Sequence, residues 1–212
     1  MFIAQFVYII LLRWVNPPVT ITQFVSLVSG RGLKRDYVSY SSMSREAKLA
    51  VIAGEDQLFP DHDGFDVRAI KLAMKYNKAH PNKIRGASTI SQQVAKNVFL
   101  WQGGGFFRKG LEVYFTFMIE TFWGKERILQ MYLNVSEMGS GIFGIQAAAK
   151  AYFNKDAKDL TREEAAEIAA ALPNPIKFTV KPLSRYVLLR SGNIIRQMSN
   201  LETDPDIANL IK

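Results

Sequence analysis

The sequence predicts a mainly α protein built as one compact domain. Three observations carry this: helix-capping residues recur along the chain, apolar residues repeat at three-to-four spacing between them, and no alternating run is long enough for a confident strand. With 212 residues, 48% of them hydrophobic and 22% charged, the chain can bury an ordinary core. It contains no cysteine and only two histidines, which excludes thiol chemistry and makes a histidine-rich metal site a poor expectation.

The first element is the apolar run Phe2 to Leu12, interrupted only by Gln5 and followed by Arg13, Trp14 and Pro17-Pro18. As a helix it covers about 17 Å, against about 30 Å for a bilayer core. No basic residues precede it and no small-residue cleavage site follows, so it makes a poor signal peptide. Arg13 and Trp14 suit a membrane interface. The run therefore reads as the exit end of a membrane helix or an interfacial anchor, with a core helix of the domain as the competing reading. Residues 1–16 are taken as the anchor and residues 17–212 as the folded domain.

Beyond the prolines the elements follow in order. Ser44 caps a helix through about Leu58, and Asp66 caps the next, to about Ala79. Thr89 with Gln92 forms a capping-box pattern. Gly110 to Phe122 is apolar nearly all round, which predicts a buried helix. Further helices are expected over Lys125–Val135, Gly144–Phe153, Arg162–Leu172 behind a Thr161/Glu164 box, and Leu183–Leu201.

Charge narrows the function. The chain carries 27 basic against 19 acidic residues, a net +8, and no acidic residue lies between Arg68 and Lys109. An anionic partner is implied. Arg68, Lys71, Lys75 and Lys78 are spaced as the solvated face of a helix, opposite Val67, Ile70 and Met74. Lys83, Arg85, Lys96, Arg108 and Lys109 lie outside that helix and need another reason. Two glutamates sit in apolar surroundings: Glu55 after Leu49–Gly54, and Glu112 within Leu111–Met118. Burial raises a carboxyl's pKa and suits it to proton transfer, unless it is only a structural ion pair, for which Arg108 is the obvious partner of Glu112. Two carboxylates are also the usual equipment for chemistry at a sugar's anomeric carbon; Glu120, Glu126 and Glu137 compete for the second role.

These residues resemble a known family. GEDQLFPDHDGFD, with Glu55, Asp56, Phe59, His62, Gly64 and Asp66, and RGASTISQQVAKN, from Arg85 to Asn97, are similar to the first two motifs of the peptidoglycan glycosyltransferases, glycosyltransferase family 51. RKGLE looks like the third, Ile128 to Phe153 the fourth, and the Ala165 to Pro175 stretch ending in ALPNP the next. With no transpeptidase sequence after Lys212, the resemblance is to the monofunctional form.

The resemblance implies a lysozyme-like helical fold with a membrane-proximal jaw and an N-terminal membrane segment, and polymerisation of lipid II into β-1,4-linked glycan with release of undecaprenyl diphosphate. Glu55 would be the base for the acceptor 4-hydroxyl, with inversion at the donor carbon, and Glu112 its helper. Arg85, Lys96, Arg108 and Lys109 would hold phosphates, Ser88 and the helix start at Thr89 would donate to an anion, and Gln93 would lie in the sugar groove. Asn97 belongs to the same substrate set. Thr89 and Gln92 read as caps, His62 as a loop-fixing hydrogen bonder, and Asp56 either as a positioner of the Glu55 loop or as a ligand of a divalent cation, Mg or Mn. No organic cofactor is implied. The expected partners are lipid II, the growing lipid-linked strand, the bacterial inner membrane on its periplasmic face, and cell-wall synthesis or division proteins. A lysozyme-like hydrolase or lytic enzyme is the alternative, but it has no need of so many uncompensated cations. A nucleic-acid binder, suggested by Tyr76, Phe99 and Trp101 among the basic residues, conflicts with the buried glutamates.

Overall fold

The computed structural model describes residues 2–81, 83 and 85–212; Met1, the first residue of the expected anchor, lies outside them. Eleven α-helices appear among the described residues: α1 Phe2–Leu11, α2 Ile21–Val28, α3 Arg45–Glu55, α4 Val67–Ala79, α5 Ile90–Phe99, α6 Phe106–Phe122, α7 Lys125–Val135, α8 Ile145–Phe153, α9 Arg162–Ala171, α10 Arg185–Leu201 and α11 Pro205–Leu210. The predicted caps hold. Ser44 and Asp66 each accept a backbone N–H of the first turn, and Thr89 and Thr161 close full capping boxes with Gln92 and Glu164; Ser184, not singled out beforehand, caps α10 in the same way.

Two packing groups build the core. In one, α3 lies against α9 and α10; in the other, α5 lies against α6 and α7. Leu49, Ala50, Val51 and Ile52 of α3 are buried, and the small side chains of α9, Ala165, Ala166, Ala169, Ala170 and Ala171, let the helices approach closely. Gly54 lies close to α10: a Cβ there would stand 3.2 Å from Ile194 Cδ1.

Several expectations need correction. The helix from Ser44 stops at Glu55, not near Leu58, because Asp56 adopts an extended backbone. The helix expected from Gly110 begins a turn earlier, at Phe106, and it is not buried all round: Glu112, Phe115, Thr116, Met118 and Ile119 face inward while Val113, Tyr114 and Phe117 are exposed. On α4 the basic residues are exposed as expected, yet Val67 and Met74 are exposed too and only Ala73 is buried. Helices α2 and α11 and a small sheet were not anticipated. The sheet has the order β1 (Lys34–Arg35), β3 (Ile142–Phe143), β2 (Glu137–Gly139). The central strand pairs parallel with β1, Lys34 opposite Ile142, and antiparallel with β2, Glu137 opposite Phe143. Strands of two or three residues leave no alternation to read.

Helix α1 docks by one side only. Ile9 and Leu12 are buried, and Phe6 meets the Phe122 ring edge-on at 5.3 Å. Carbonyls in its last turn and just beyond it are taken by side chains: Trp123 Nε1 donates to Ile9 O at 2.8 Å, and the Arg127 guanidinium donates to Leu12 O and Val15 O. No helix among the described residues is long and apolar enough to cross a membrane.

Candidate active site

Glu55 occupies the last turn of α3, facing a cleft of about 950 Å³ lined also by Asp56, Lys83, Arg85, Ser88, Tyr186 and Arg190. Its side chain is 11% exposed. Gln93 Nε2 donates to one carboxylate oxygen at 2.8 Å, and the Arg190 guanidinium lies 3.4 Å from the other while donating to Gly54 O at 2.9 Å. Burial pushes the Glu55 pKa above its ordinary 4.5; the Gln93 hydrogen bond and the charges of Arg190 and Lys96 pull against it, and Asp56 adds to the rise. A place at the negative end of the α3 dipole works in the same direction.

The Gln93 amide is held from both ends. Its oxygen accepts from the Tyr132 hydroxyl at 3.3 Å, so turning the amide over would lose this bond and the one to Glu55 together. Tyr132 is buried. Neither Tyr132 nor Arg190 stands out in the sequence as a site residue: neither lies near Glu55 in the chain, and no local pattern reveals them.

Asp56 turns inward. One face of its carboxylate meets His62 Nε2 at 3.0 Å, and Oδ2 accepts the N–H of Ile90, the first residue of α5, at 2.9 Å. Gly64 N donates to His62 Nδ1, which puts the ring proton on Nε2. Burial disfavours a charged His62, but the hydrogen bond to Asp56 and its charge outweigh that and raise the ring's pKa. Thr89 Oγ1 donates to Gly64 O at 2.7 Å, joining the loop to the α5 cap. Gly64 has φ +89°, and a Cβ there would stand 2.7 Å from Thr116 Cγ2, so a side chain is excluded twice over. Thr89 and Gln92 are buried in their capping box, which commits them to the backbone. His62 is the loop-fixing group that the sequence suggested.

The second glutamate has a different setting. Glu112 is 3% exposed on α6, with Arg108 NH1 at 2.7 Å and Lys109 Nζ bonded to its other oxygen. Arg108 Nε is buried without a partner among the described residues. Lys96 on α5 is half-buried and has no carboxylate within ion-pair distance among them. Burial lowers the Lys96 pKa, with Glu112 and Glu55 opposing and Arg108 and Lys109 reinforcing. Three cations around one carboxylate leave a partly desolvated positive excess, with an unsatisfied donor in it: a site suited to an anion.

Lys96 also lines a smaller cavity of about 170 Å³ with Asn97, Gln102, Tyr132 and Glu137. Asn97 Oδ1 accepts from Gln102 there. Gln93 and Pro173 border both this cavity and the Glu55 cleft, so the two spaces meet at the residue that holds the Glu55 carboxylate. The fold thus gathers Glu55, Gln93, Arg85 and Ser88 around one cleft and Lys96 and Asn97 around the other, with Glu112, Arg108 and Lys109 in the adjoining cation cluster; Asp56, Thr89 and Gln92 support them from behind. Among the described residues no group of three or more His, Asp or Glu gathers as a metal site, and the oxygens of Asp56 and Glu112 are already engaged.

Comparison with known proteins agrees with this geometry. Residues 21–199 match the model of the family described as Transglycosylase. A biosynthetic peptidoglycan transglycosylase of Pseudomonas putida (strain GB-1) is 51% identical over 204 residues, covering 93% of this chain and 86% of the relative. The protein of that name from Aeromonas hydrophila is 48% identical over 203 residues, 94% and 86% of the two chains, and that of Shigella boydii 55% over 170 residues, 80% and 70%. A family model matched over most of the sequence, with relatives this similar, leaves one conclusion: the chain belongs to the transglycosylase family.

Proposed function

We propose that this chain, a peptidoglycan glycosyltransferase, polymerises lipid II with Glu55 as its base. The observation that carries this reading is the buried Glu55, its pKa raised, opening onto the large cleft while the cation cluster adjoins the space on the other side of Gln93. Ionised Glu55 takes the proton of an acceptor 4-hydroxyl as that oxygen attacks the anomeric carbon of the lipid-linked donor. The new β-1,4 bond forms with inversion, and the lipid diphosphate leaves. Lys96, Arg108 and Lys109 stabilise the charge that develops on it, in a site dry enough for the contacts to count. Glu112 acts on the cations, fixing Arg108 and Lys109 for the diphosphate. Arg85 and Ser88, exposed at the cleft mouth, contact substrate, and Asn97 does so from the small cavity. The carboxylate oxygens of Asp56 and Glu112 are engaged by protein donors and are not free to ligate a divalent cation.

The lipid substrate needs a route from a bilayer, and helix α2 supports one. Its polar residues Thr22, Gln23 and Ser26 are buried while Ile21, Phe24, Val25, Leu27 and Val28 are exposed, the reverse of a helix facing water. Phe106 and Phe107, 98% and 76% exposed, and Phe117 extend the apolar surface, together with the outer side of α1 and Trp14. This is the membrane-facing jaw, with α1 as the membrane-side segment and the periplasmic face of the bacterial inner membrane as the setting. Proteins of cell-wall synthesis or division are the partners such a position would bring near.

The test is incubation of the purified chain with lipid II in vesicles. Glycan polymer and undecaprenyl diphosphate should appear together, whereas cleavage of preformed glycan without polymer would favour the hydrolase reading. Phe24→Ser with Phe106→Ser should lower vesicle partitioning several-fold; unchanged partitioning would remove the jaw assignment.

A further inference from the structure

The wall of the Glu55 cleft carries an aromatic pair that the chemistry above does not use. Tyr186, in the first turn of α10, is stacked on Phe178 with ring centroids 3.7 Å apart and planes 14° from parallel. It is 37% exposed and borders the cleft. Phe178 covers one face of the ring, so the surface left for the cleft is the other face and the edge. Arg190 lies four residues on, one turn away on the same side of the helix. Helical side chains lean toward the helix N-terminus, so the Arg190 side chain, which reaches Glu55, passes back along the turn that presents Tyr186.

We propose that Tyr186, backed by Phe178, is a saccharide-stacking platform that seats a hexosamine ring of the substrate in the Glu55 cleft. A β-linked hexopyranose presents apolar C–H faces and a rim of hydroxyl and acetamido groups. The ring of Tyr186 matches such a face, and the polar side chains of Arg85 and Ser88 in the same cleft match the rim. The stack on Phe178 fixes the tyrosine before substrate arrives, so little side-chain freedom is lost on binding. The cleft, at about 950 Å³, stands at the upper end of small-molecule sites. The occupant at Tyr186 is a neutral sugar and not the diphosphate, because the cation cluster of Lys96, Arg108 and Lys109 lies elsewhere and Arg190, one turn from Tyr186, is engaged by Gly54 O and Glu55. The platform rests on the glycosyltransferase reading and adds a sugar subsite to it.

The experiment compares the full chain with Tyr186→Phe and Tyr186→Ala in two assays. In the first, binding of a soluble, lipid-free β-1,4-linked N-acetylglucosamine tetramer is followed by calorimetry or NMR. In the second, kcat and KM are measured on lipid II. Tyr186→Phe should keep wild-type tetramer affinity, because the ring remains. Tyr186→Ala should weaken it about five-fold and raise the KM for lipid II by a similar factor, with kcat within two-fold. Wild-type affinity in Tyr186→Ala, no tetramer binding by the wild type, or a fall in kcat with KM unchanged would each overturn the platform. A wild type that binds the tetramer with the expected mutant pattern but never polymerises lipid II would instead overturn the glycosyltransferase reading and leave the platform standing.

Discussion

Glu55 and Glu112 are both buried glutamates on core helices, and their surroundings treat them in opposite ways. Glu55 has one amide donor and one arginine at 3.4 Å, and it opens onto a cleft. Glu112 is clasped by two cations of its own helix, three and four residues before it. The difference teaches that burial alone does not make a base. A carboxylate becomes one when burial is only partly offset and substrate can reach it; fully paired, the same group organises the charges around it.

The largest expected effect is at Glu55. Glu55→Gln keeps the size and removes the proton acceptor, so polymerisation should fall at least about 100-fold with the helical circular dichroism unchanged. Turnover above a few per cent of wild type in a folded sample would end the comparison at once. Glu112→Gln should also lower turnover, but lipid II should still bind and the acid limb of the pH profile should stay in place. A limb that moves in Glu112→Gln would mean that the two roles are shared.

Next come the cations. Arg108→Gln or Lys96→Gln should weaken donor binding by roughly 10- to 100-fold, the loss of one charge-assisted contact of about 1.5–3 kcal/mol. Lys71→Gln and Lys75→Gln, on the exposed face of α4, should stay within about two-fold of wild type. Equal losses in both sets would mean diffuse attraction to an anionic surface in place of a built anion site.

The pH dependence separates the glutamates more finely. Because the Glu55 pKa is raised above 4.5, the acid limb of kcat/KM should lie above the ordinary carboxylate range. Arg190→Gln should move it higher still, since a charge that favours the ionised form is removed. For stability the sign is set by the same shift. The folded state holds the Glu55 proton more tightly than the unfolded chain, so this contribution is complete below about 4.5 and is lost as pH rises through the raised value. Glu55→Gln should therefore gain thermal stability relative to wild type near neutral pH, with the gap closing as the solution is acidified. Among the residues around Glu55 the smallest effect is expected for Tyr132→Phe, which frees the Gln93 amide. A loss of about three- to ten-fold in kcat, matching one hydrogen bond of about 0.5–1.5 kcal/mol, should come with little change in KM.

Much of this was legible in the sequence because the signals are local. Ser44, Asp66, Thr89 and Thr161 announce their helices through contacts within three residues, and the spacing of Arg108 and Glu112 announces an ion pair on one helix face, to which the structure adds Lys109. What stayed hidden is long-range. Arg190 reaches Glu55 across 135 positions and Tyr132 reaches Gln93 across 39, and neither spacing obeys a period. The inverted face of α2 hid for another reason: alternating polar and apolar residues state that a helix has two sides, not which side meets water. The exposed half of α6 differs from the expectation because apolar content alone does not say which side of a helix packs inside.

Asp56 has a mechanical consequence. The residue next to Glu55 is bolted to the first amide of α5, and three residues further along α5 stands Gln93, whose amide grips the Glu55 carboxylate itself. Two anchor points that close together tie the end of α3 and the start of α5 into one bracket, which holds Glu55, its amide clasp and Lys96 in register. Their relative spacing is then protected even when the cleft walls breathe. In a reaction where an ångström of misplacement can lower the rate about 100-fold, cutting the bracket with Asp56→Ala would turn a positioned carboxylate into a wandering one, its charge and its exposure to the acceptor intact.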